Sequence, residues 1–248
     1  MSKAYFASDF HLGVPSYAES LEREKRIVRW LTSIEKDCGT LFLMGDIFDF
    51  WYEYNTVVPK YYTRLLGKLA QMTDAGIKIY FFKGNHDMWT FDYLQKEVGL
   101  EVIDEELEVT VGKSKLYLHH GDALWKGENT YKFIRKIFRS RWAIWLFHRL
   151  HPNFGIGLAR YLSVSSRKKN SVKDAIEIPL EQEFQYQFAM NHSASHDIDY
   201  YIFGHRHNPI NVPLSGKARL VNLGDWITTF TYAVLEKDEV SLHTYLAQ

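Results

Sequence analysis

Three apolar runs of strand length each end in a cluster of side chains that bind metals or move protons, and that coincidence limits the folds open to this chain. Ala4–Ser8 (AYFAS) leads into Asp9-Phe10-His11, Leu41–Met44 (LFLM) into Gly45-Asp46, and Lys78–Phe82 (KIYFF) into Gly84-Asn85-His86-Asp87. Continuous apolar runs of this length are strands buried on both faces. Tyr17–Glu35 and Val57–Ala75 lie between them with helical length and period, and Gly76 is a natural stop. Strands alternating with helices in this way form parallel βαβ units, whose ligands gather beyond the carboxyl ends of the strands. The fold class is therefore α/β, with the polar clusters along one edge of the sheet.

After Gly99 the pattern changes. Glu106–Val111 and Lys115–His119 read as a hairpin around Gly112-Lys113-Ser114. From Glu128 to about Asn170 the chain turns basic, aromatic and helical, and a further helix is expected over Val172–His192. Strands resume at Asp199–Phe203, Ala218–Asn222, Tyr232–Glu236 and Val240–Tyr245. This order predicts a mixed-sheet sandwich built from residues 1–127 and 171–248, with 128–170 inserted as a helical lid.

The bulk properties remove some function classes. The formal net charge is zero over 248 residues, so no global field favours nucleic acid or an anionic membrane, and any basic site must be local. The single cysteine, Cys38, excludes an intrachain disulfide and a thiolate-rich zinc site; it reads as packing beside the second strand. Met1–Asp9 has no basic-then-apolar signal segment, and no apolar run approaches the ~18 residues of a membrane span. A cytoplasmic protein is expected, with peripheral attachment to a membrane surface open.

Five pieces carry the chemistry: Asp9-x-His11, Gly45-Asp46-x-x-Asp49, Gly84-Asn85-His86-Asp87, His120 within HHGD, and Gly204-His205-Arg206-His207. Together they supply two carboxylates, an amide oxygen and four imidazoles as candidate ligands. Mixed oxygen and nitrogen donors without thiolate suit manganese, iron or zinc better than magnesium or calcium. Asp-x-His and His-x-His each place both side chains on one side of a strand end, because the strand period is two. By the same rule His119 points away from His120. His148, His151, His192, His196 and His243 have no motif around them and read as structural or surface residues.

These blocks, in this order, resemble the calcineurin-like metallophosphoesterases, and the resemblance covers nearly the whole chain. It implies a four-layer αββα sandwich of mixed β-sheets and two divalent ions bridged by Asp46. One ion would take Asp9, His11, Asp46 and His207, and the other Asp46, Asn85, His120 and His205. Manganese is the first expectation, with iron or zinc as alternatives. His86 would stabilise developing charge or protonate the leaving oxygen, with Asp46 the second catalytic position. Asp49, Asp87 and Asp122 are expected behind the ligands, fixing histidine tautomers.

Within that superfamily the chain is most similar to the UDP-2,3-diacylglucosamine pyrophosphatases of the lipid A pathway. GDIFDFW and HHGDAL match that family's motifs, and Glu128 and Tyr131 fall where it carries an acid and a tyrosine. Ser166, Asn170 and Lys173 reproduce its S-x-x-x-N-x-x-K spacing, which on a helix puts all three on one face. The best-known members have arginine where this chain has His86. The resemblance implies a substrate cleaved to UMP and lipid X at the inner-membrane surface. Asn85, His86, Glu128, Ser166, Asn170, Lys173 and His205 would contact that substrate. On pattern alone, with basic residues such as Lys132, Arg135 and Arg139 interleaved with Phe133, Trp142, Trp145 and Phe147, the lid reads either as a membrane-surface element or apolar groove with a cationic rim, or as a helical insertion packed on the core with a solvated basic face; the resemblance favours the first. A basic block this greasy argues against nucleic acid. Two alternatives remain: a phosphohydrolase of another nucleotide-sugar or phospholipid-like substrate, and a non-catalytic scaffold on the same fold.

Overall fold

The computed structural model describes residues 2–124, 129–159, 161–163 and 179–246. Two mixed sheets face each other. The first has strand order β11-β10-β1-β2-β3-β4 and the second β5-β6-β7-β9-β8. In the first sheet the strands are β1 (Lys3–Ala7), β2 (Cys38–Leu43), β3 (Lys78–Phe82), β4 (Glu101–Ile103), β10 (Thr231–Glu236) and β11 (Glu239–Thr244). The second contains β5 (Leu107–Val111), β6 (Ser114–His119), β7 (Tyr200–Phe203), β8 (Ile210–Pro213) and β9 (Arg219–Asn222). β1 to β4 run parallel, as do β6, β7 and β9.

Strand alternation builds the layers. In β1, Ala4 and Phe6 join the core between the sheets, while Tyr5 and Ala7 join the core under α1 (Tyr17–Ile34) and α2 (Thr63–Asp74). Phe6 stacks on Phe42 at 4.8 Å and Phe42 on Tyr80 at 4.9 Å, so one aromatic row ties three strands together. Each fully buried phenylalanine contributes roughly 1.5–3 kcal/mol of hydrophobic stabilisation. On the far side α7 (Phe184–Ser193) packs on Tyr117, Tyr201 and Phe203 through Ala189, Tyr186 and Phe188. Helix, sheet, sheet, helix is the expected αββα order.

A short α3 (Tyr93–Lys96) joins β3 to β4, and between β6 and β7 the chain forms α4 (Asn129–Phe138), α5 (Arg141–His148) and α6 (residues 152–159). Ile144, Phe147 and Ile156 pack on Phe50, Tyr52 and Trp89. Trp89 Nε1 donates to Phe138 O at 2.9 Å, and Tyr52 Oη donates to Ile144 O at 3.1 Å.

Two helix boundaries differ from expectation. α2 begins at Thr63, not Val57. Pro59 disfavours a helical conformation in the residue before it, and the true start is fixed from a distance. Glu24 of α1 accepts the N–H groups of Arg64 and Leu65 at 2.8 and 3.0 Å. The helix expected from Val172 begins, among the described residues, only at Phe184. Pro179, a single 3₁₀ turn (Leu180–Gln182) and an extended Glu183 precede it. Two short strands, β4 and β8, had no clear sequence signature, whereas Cys38 is buried as expected, as the first residue of β2.

Candidate metal centre

The carboxyl ends of six strands, drawn from both sheets, converge on one cleft. β1 delivers Asp9 and His11, β2 Asp46, β3 Asn85 and His86, β6 His120, β7 His205 and His207, and β9 Asp225. The loops leave their strands sharply: Asp9, His11, Asp46, His205 and His207 all have positive φ, between 44° and 70°. That conformation costs an L side chain roughly 1 kcal/mol or more, and strain of this kind concentrates at functional sites. Close approach also fixes Gly84 and Gly204. A Cβ on Gly84 would collide with the backbone N and carboxylate of Asp46, and one on Gly204 would sit 2.6 Å from Asp9 Oδ2.

Donor atoms group as two sets. Asp9, His11 and His207 form one, and Asp46, His120 and His205 another, the ligand atoms of each within 4.8 Å of one another. A third set, His11, Asp46 and His86, shares His11 with the first and Asp46 with the second and so joins them. Asn85 Oδ1 lies 3.2 Å from His120 Nε2. The structure thus brings all seven expected ligands, and His86, into one cleft.

The contacts within the cleft suit a cation. His11 Nε2 and His207 Nε2 face each other at 3.2 Å. Their Nδ1 atoms lie near acceptors, His207 Nδ1 at 3.3 Å from Asp225 Oδ2 and His11 Nδ1 at 3.7 Å from Asp49 Oδ1. With both rings neutral and their protons on Nδ1, two lone pairs face each other across that gap, which either the Nε2 proton of a charged His207 or a cation fills. Asp9 is fully buried; its Oδ1 lies 3.2 Å from His207 Nε2 and 3.5 Å from His11 Nε2, while Oδ2 accepts from the His205 N–H at 2.9 Å. Asp46 Oδ1 accepts from the His86 N–H at 2.8 Å, and Oδ2 faces His120 Nε2 at 3.4 Å and His11 Nε2 at 3.8 Å.

Titration reflects the same concentration of charge. Burial disfavours the imidazolium of His120, but the Asp46 carboxylate outweighs it and pushes the group up to about 10. His207 is likewise pushed up to about 10, where the charges of Asp9 and Asp225 overcome burial. His205 moves the other way, down to about 4, through burial and then the charge on His120. Asp9 is held well below the usual carboxylate range because His207 and His11 outweigh its burial. Protonated imidazoles balance the carboxylates here, a role divalent ions also fill.

The residues behind the ligands differ in part from expectation. Asp49 lies behind His86: its backbone O accepts from His86 Nδ1 at 2.9 Å, and its Oδ1 lies 3.6 Å from the same nitrogen. Asp87 hydrogen-bonds no imidazole. Its two oxygens accept the N–H groups of Gly84 and Ile47 at 2.7 and 2.8 Å, and of Phe48 and Asp46 at 3.3 and 3.4 Å, clamping two ligand turns together. Asp122 also contacts no histidine directly; Tyr131 Oη donates to it at 2.8 Å, and Arg135 Nε lies 3.2 Å away, so it anchors α4 to the His120 loop. The tautomer of His120 is set instead by Met44 O, 2.8 Å from Nδ1. Asp225 was missed. It stands in GDW with no histidine near it in sequence, and only the fold carries it to His207. Ser163 was missed as well: it donates to Asp49 Oδ2 at 2.9 Å and lies 3.5 Å from His86 Nδ1. His119, buried, accepts the Gly121 N–H at Nδ1 and stays out of the cleft as expected. Glu128, Ser166, Asn170 and Lys173 lie outside the described residues.

The sequence model of the calcineurin-like phosphoesterases matches residues 2–209. The chain belongs to that family. It is a hydrolase of phosphate esters or anhydrides, and divalent metals are the cofactors this family implies. A curated relative, the UDP-2,3-diacylglucosamine hydrolase of Porphyromonas gingivalis, is 39% identical over 245 residues, 94% of each chain. The enzyme of the same name from Shewanella piezotolerans is 24% identical over 243 residues, 97% of each chain. Among solved structures, the phosphoesterase Yfce from E. coli is 16% identical with a TM-score of 0.47, covering 98% of this chain and 92% of that one.

Proposed function

We propose that this phosphoesterase hydrolyses the pyrophosphate of UDP-2,3-diacylglucosamine, releasing UMP and leaving lipid X. The observation that carries this reading is the 39% identity to the P. gingivalis hydrolase, which extends across 94% of both chains and so includes the lid. Asp9, His11, Asp46 and His207 would hold one ion, and Asp46, Asn85, His120 and His205 the other. Manganese is the proposed metal, with iron or zinc able to use the same donors. When bound, such a pair polarises phosphoryl oxygens and supplies an activated water nucleophile.

His86 carries the proton chemistry of the chain itself. Its Nδ1 faces a backbone carbonyl, which can only accept, so Nδ1 bears hydrogen and Nε2 is the atom left to exchange a proton. With Asp49 Oδ1 3.6 Å from its Nδ1, the ring is oriented so that a proton on Nε2 can pass to the leaving phosphate oxygen or stabilise developing charge. Ser163 keeps Asp49 turned toward that ring.

Residues 128–170 act as a lid over this cleft, and Glu128, Ser166, Asn170 and Lys173 hold the sugar-phosphate head. Part of the lid's basic charge serves its anchoring, since Arg135 meets Asp122 and Arg139 pairs with Glu105 at 3.1 Å. Its apolar surface remains open: Trp142 is 71% exposed, Phe133 64% and Trp145 51%, whereas Phe147 packs inward on Tyr52 and Trp89. We assign that surface to acyl chains and to peripheral contact with the cytoplasmic face of the inner membrane. No helix of the described residues is long and apolar enough to cross a membrane. The test is incubation of the Mn²⁺-loaded protein with UDP-2,3-diacylglucosamine. Release of UMP is expected. Intact substrate beside active hydrolysis of an aryl phosphate would leave the phosphoesterase and overturn this substrate.

A further inference from the structure

A cavity of about 180 Å³ lies between α7 and the β8–β9 hairpin and is bordered by Arg206 and Asn208 of the loop that carries His205 and His207. Its walls are apolar: Ile210, Val212 and the ring of Tyr186. Its polar edge consists of Arg206, Glu183 and Asn208. Arg206 stands between the two ligand histidines in sequence. Its Nη2 donates to Glu183 at 2.9 Å, but its Nε–H is buried and has no hydrogen-bond partner. A buried donor without an acceptor is unfavourable, and a ligand that supplies the acceptor removes the penalty. The floor beneath is rigid, since Gln185 and Asn222 both donate to Gly204 O, at 2.9 and 2.8 Å.

We propose that this cavity holds the uracil ring of the nucleotide half of the substrate, an inference that rests on the reading of the substrate given above. A narrow slot with an aromatic wall and a polar edge fits a planar base. The edge also fits one base better than another. Uracil presents acceptor, donor, acceptor along O2, N3–H and O4. Arg206 Nε–H, the Glu183 carboxylate and the Asn208 amide offer donor, acceptor, donor in return. Cytosine presents an acceptor at N3, which opposes the Glu183 carboxylate acceptor to acceptor, and a donor at N4, which Arg206 Nε–H cannot accept and Asn208 accepts only by turning its amide oxygen inward. Because the slot borders the loop that carries His205 and His207, the base would sit beside the cleft where the phosphates react.

The test compares binding of UMP and CMP to the Mn²⁺-loaded protein by calorimetry. The two share sugar and phosphate, so their ratio isolates the base. UMP should bind at least about tenfold more tightly, the cost of mispairing a buried polar edge. Arg206→Ala, Glu183→Ala and Asn208→Ala should each bring the ratio toward one, so the test survives the failure of any one variant to fold. Equal binding of UMP and CMP by the wild-type protein, or unchanged preference in folded variants, would overturn the assignment. UMP release from UDP-2,3-diacylglucosamine together with equal binding would sink this site and leave the substrate reading standing. A clear UMP preference without that cleavage would retain the site and reject the lipid substrate.

Discussion

Replacing Asp87 with asparagine should destabilise the protein more than any surface change and loosen the metal centre with it. The wild-type carboxylate is fully buried and accepts four backbone N–H groups, two of them at 2.7 and 2.8 Å. An asparagine keeps one acceptor oxygen and turns an NH₂ toward the N–H groups on the other side. Above the value of about 7 to which burial and the neighbouring Asp46 push the Asp87 carboxyl, one charge-assisted bond is lost, at about 1.5–3 kcal/mol, and a buried donor is left unpaired, at about 1–3 kcal/mol more. The combined loss of roughly 3–5 kcal/mol lowers Tm by about 10 °C for a chain of this size. The clamp joins the Gly45–Phe48 turn to Gly84, so Asp46 loses its fixed position and Mn²⁺ affinity should fall as well. Thermal denaturation followed by circular dichroism, with and without Mn²⁺, measures both effects. A metal-free variant melting within about 2 °C of wild type would refute the clamp, because even one such bond is worth more than that.

Other perturbations probe the remaining parts. His86→Ala should lower kcat by roughly 10²–10³ with metal content intact; a smaller loss on an aryl phosphate with a good leaving group identifies protonation, and no loss on any substrate rejects both roles. His120 and His207 titrate near 10 in the metal-free protein and must be neutral to ligate, so metal binding at pH 7 to 8 should expel protons. Apparent affinity then rises with pH up to about 10 and falls below it; calorimetry in buffers of different ionisation enthalpy would contradict this if no protons were released. Trp142→Ser with Trp145→Ser should weaken binding to anionic vesicles and raise KM for the lipid substrate while leaving the fold unchanged. Unaltered vesicle binding would reassign that surface.

Much of this was legible in the sequence because the site is built where strands end. A buried strand has a strong apolar signature, so residues just beyond it, such as Asp9, Asp46 and Asn85, stand out even without a structure. What escaped was contact across the fold. Asp225 reaches His207 only after β9 has paired with β7, and Glu24 caps α2 from a neighbouring helix. The same limit misassigned Asp87 and Asp122: both stand beside ligand motifs, but sequence proximity does not show whether a carboxylate meets an imidazole, an amide or an arginine. The positive φ of five ligands was hidden for a different reason. Aspartate and histidine tolerate the left-handed region only when their surroundings impose it, so only the glycines before Asp46 and His205 hinted at such turns. In the lid, hydrophobic residues were visible, but their division between the inward-facing Phe147 and the outward-facing Trp142 needed the packing against Tyr52 and Trp89.

Anomalous diffraction from crystals soaked in Mn²⁺ would show whether Asp46 lies between two ions. Two manganese peaks are expected in the cleft, one against Asp9, His11 and His207 and the other against Asn85, His120 and His205, with Asp46 touching both. Soaked crystals of Asp46→Ala should lose both peaks or retain one weakly. A single peak in the wild-type protein, or two full peaks in the Asp46 variant, would contradict it.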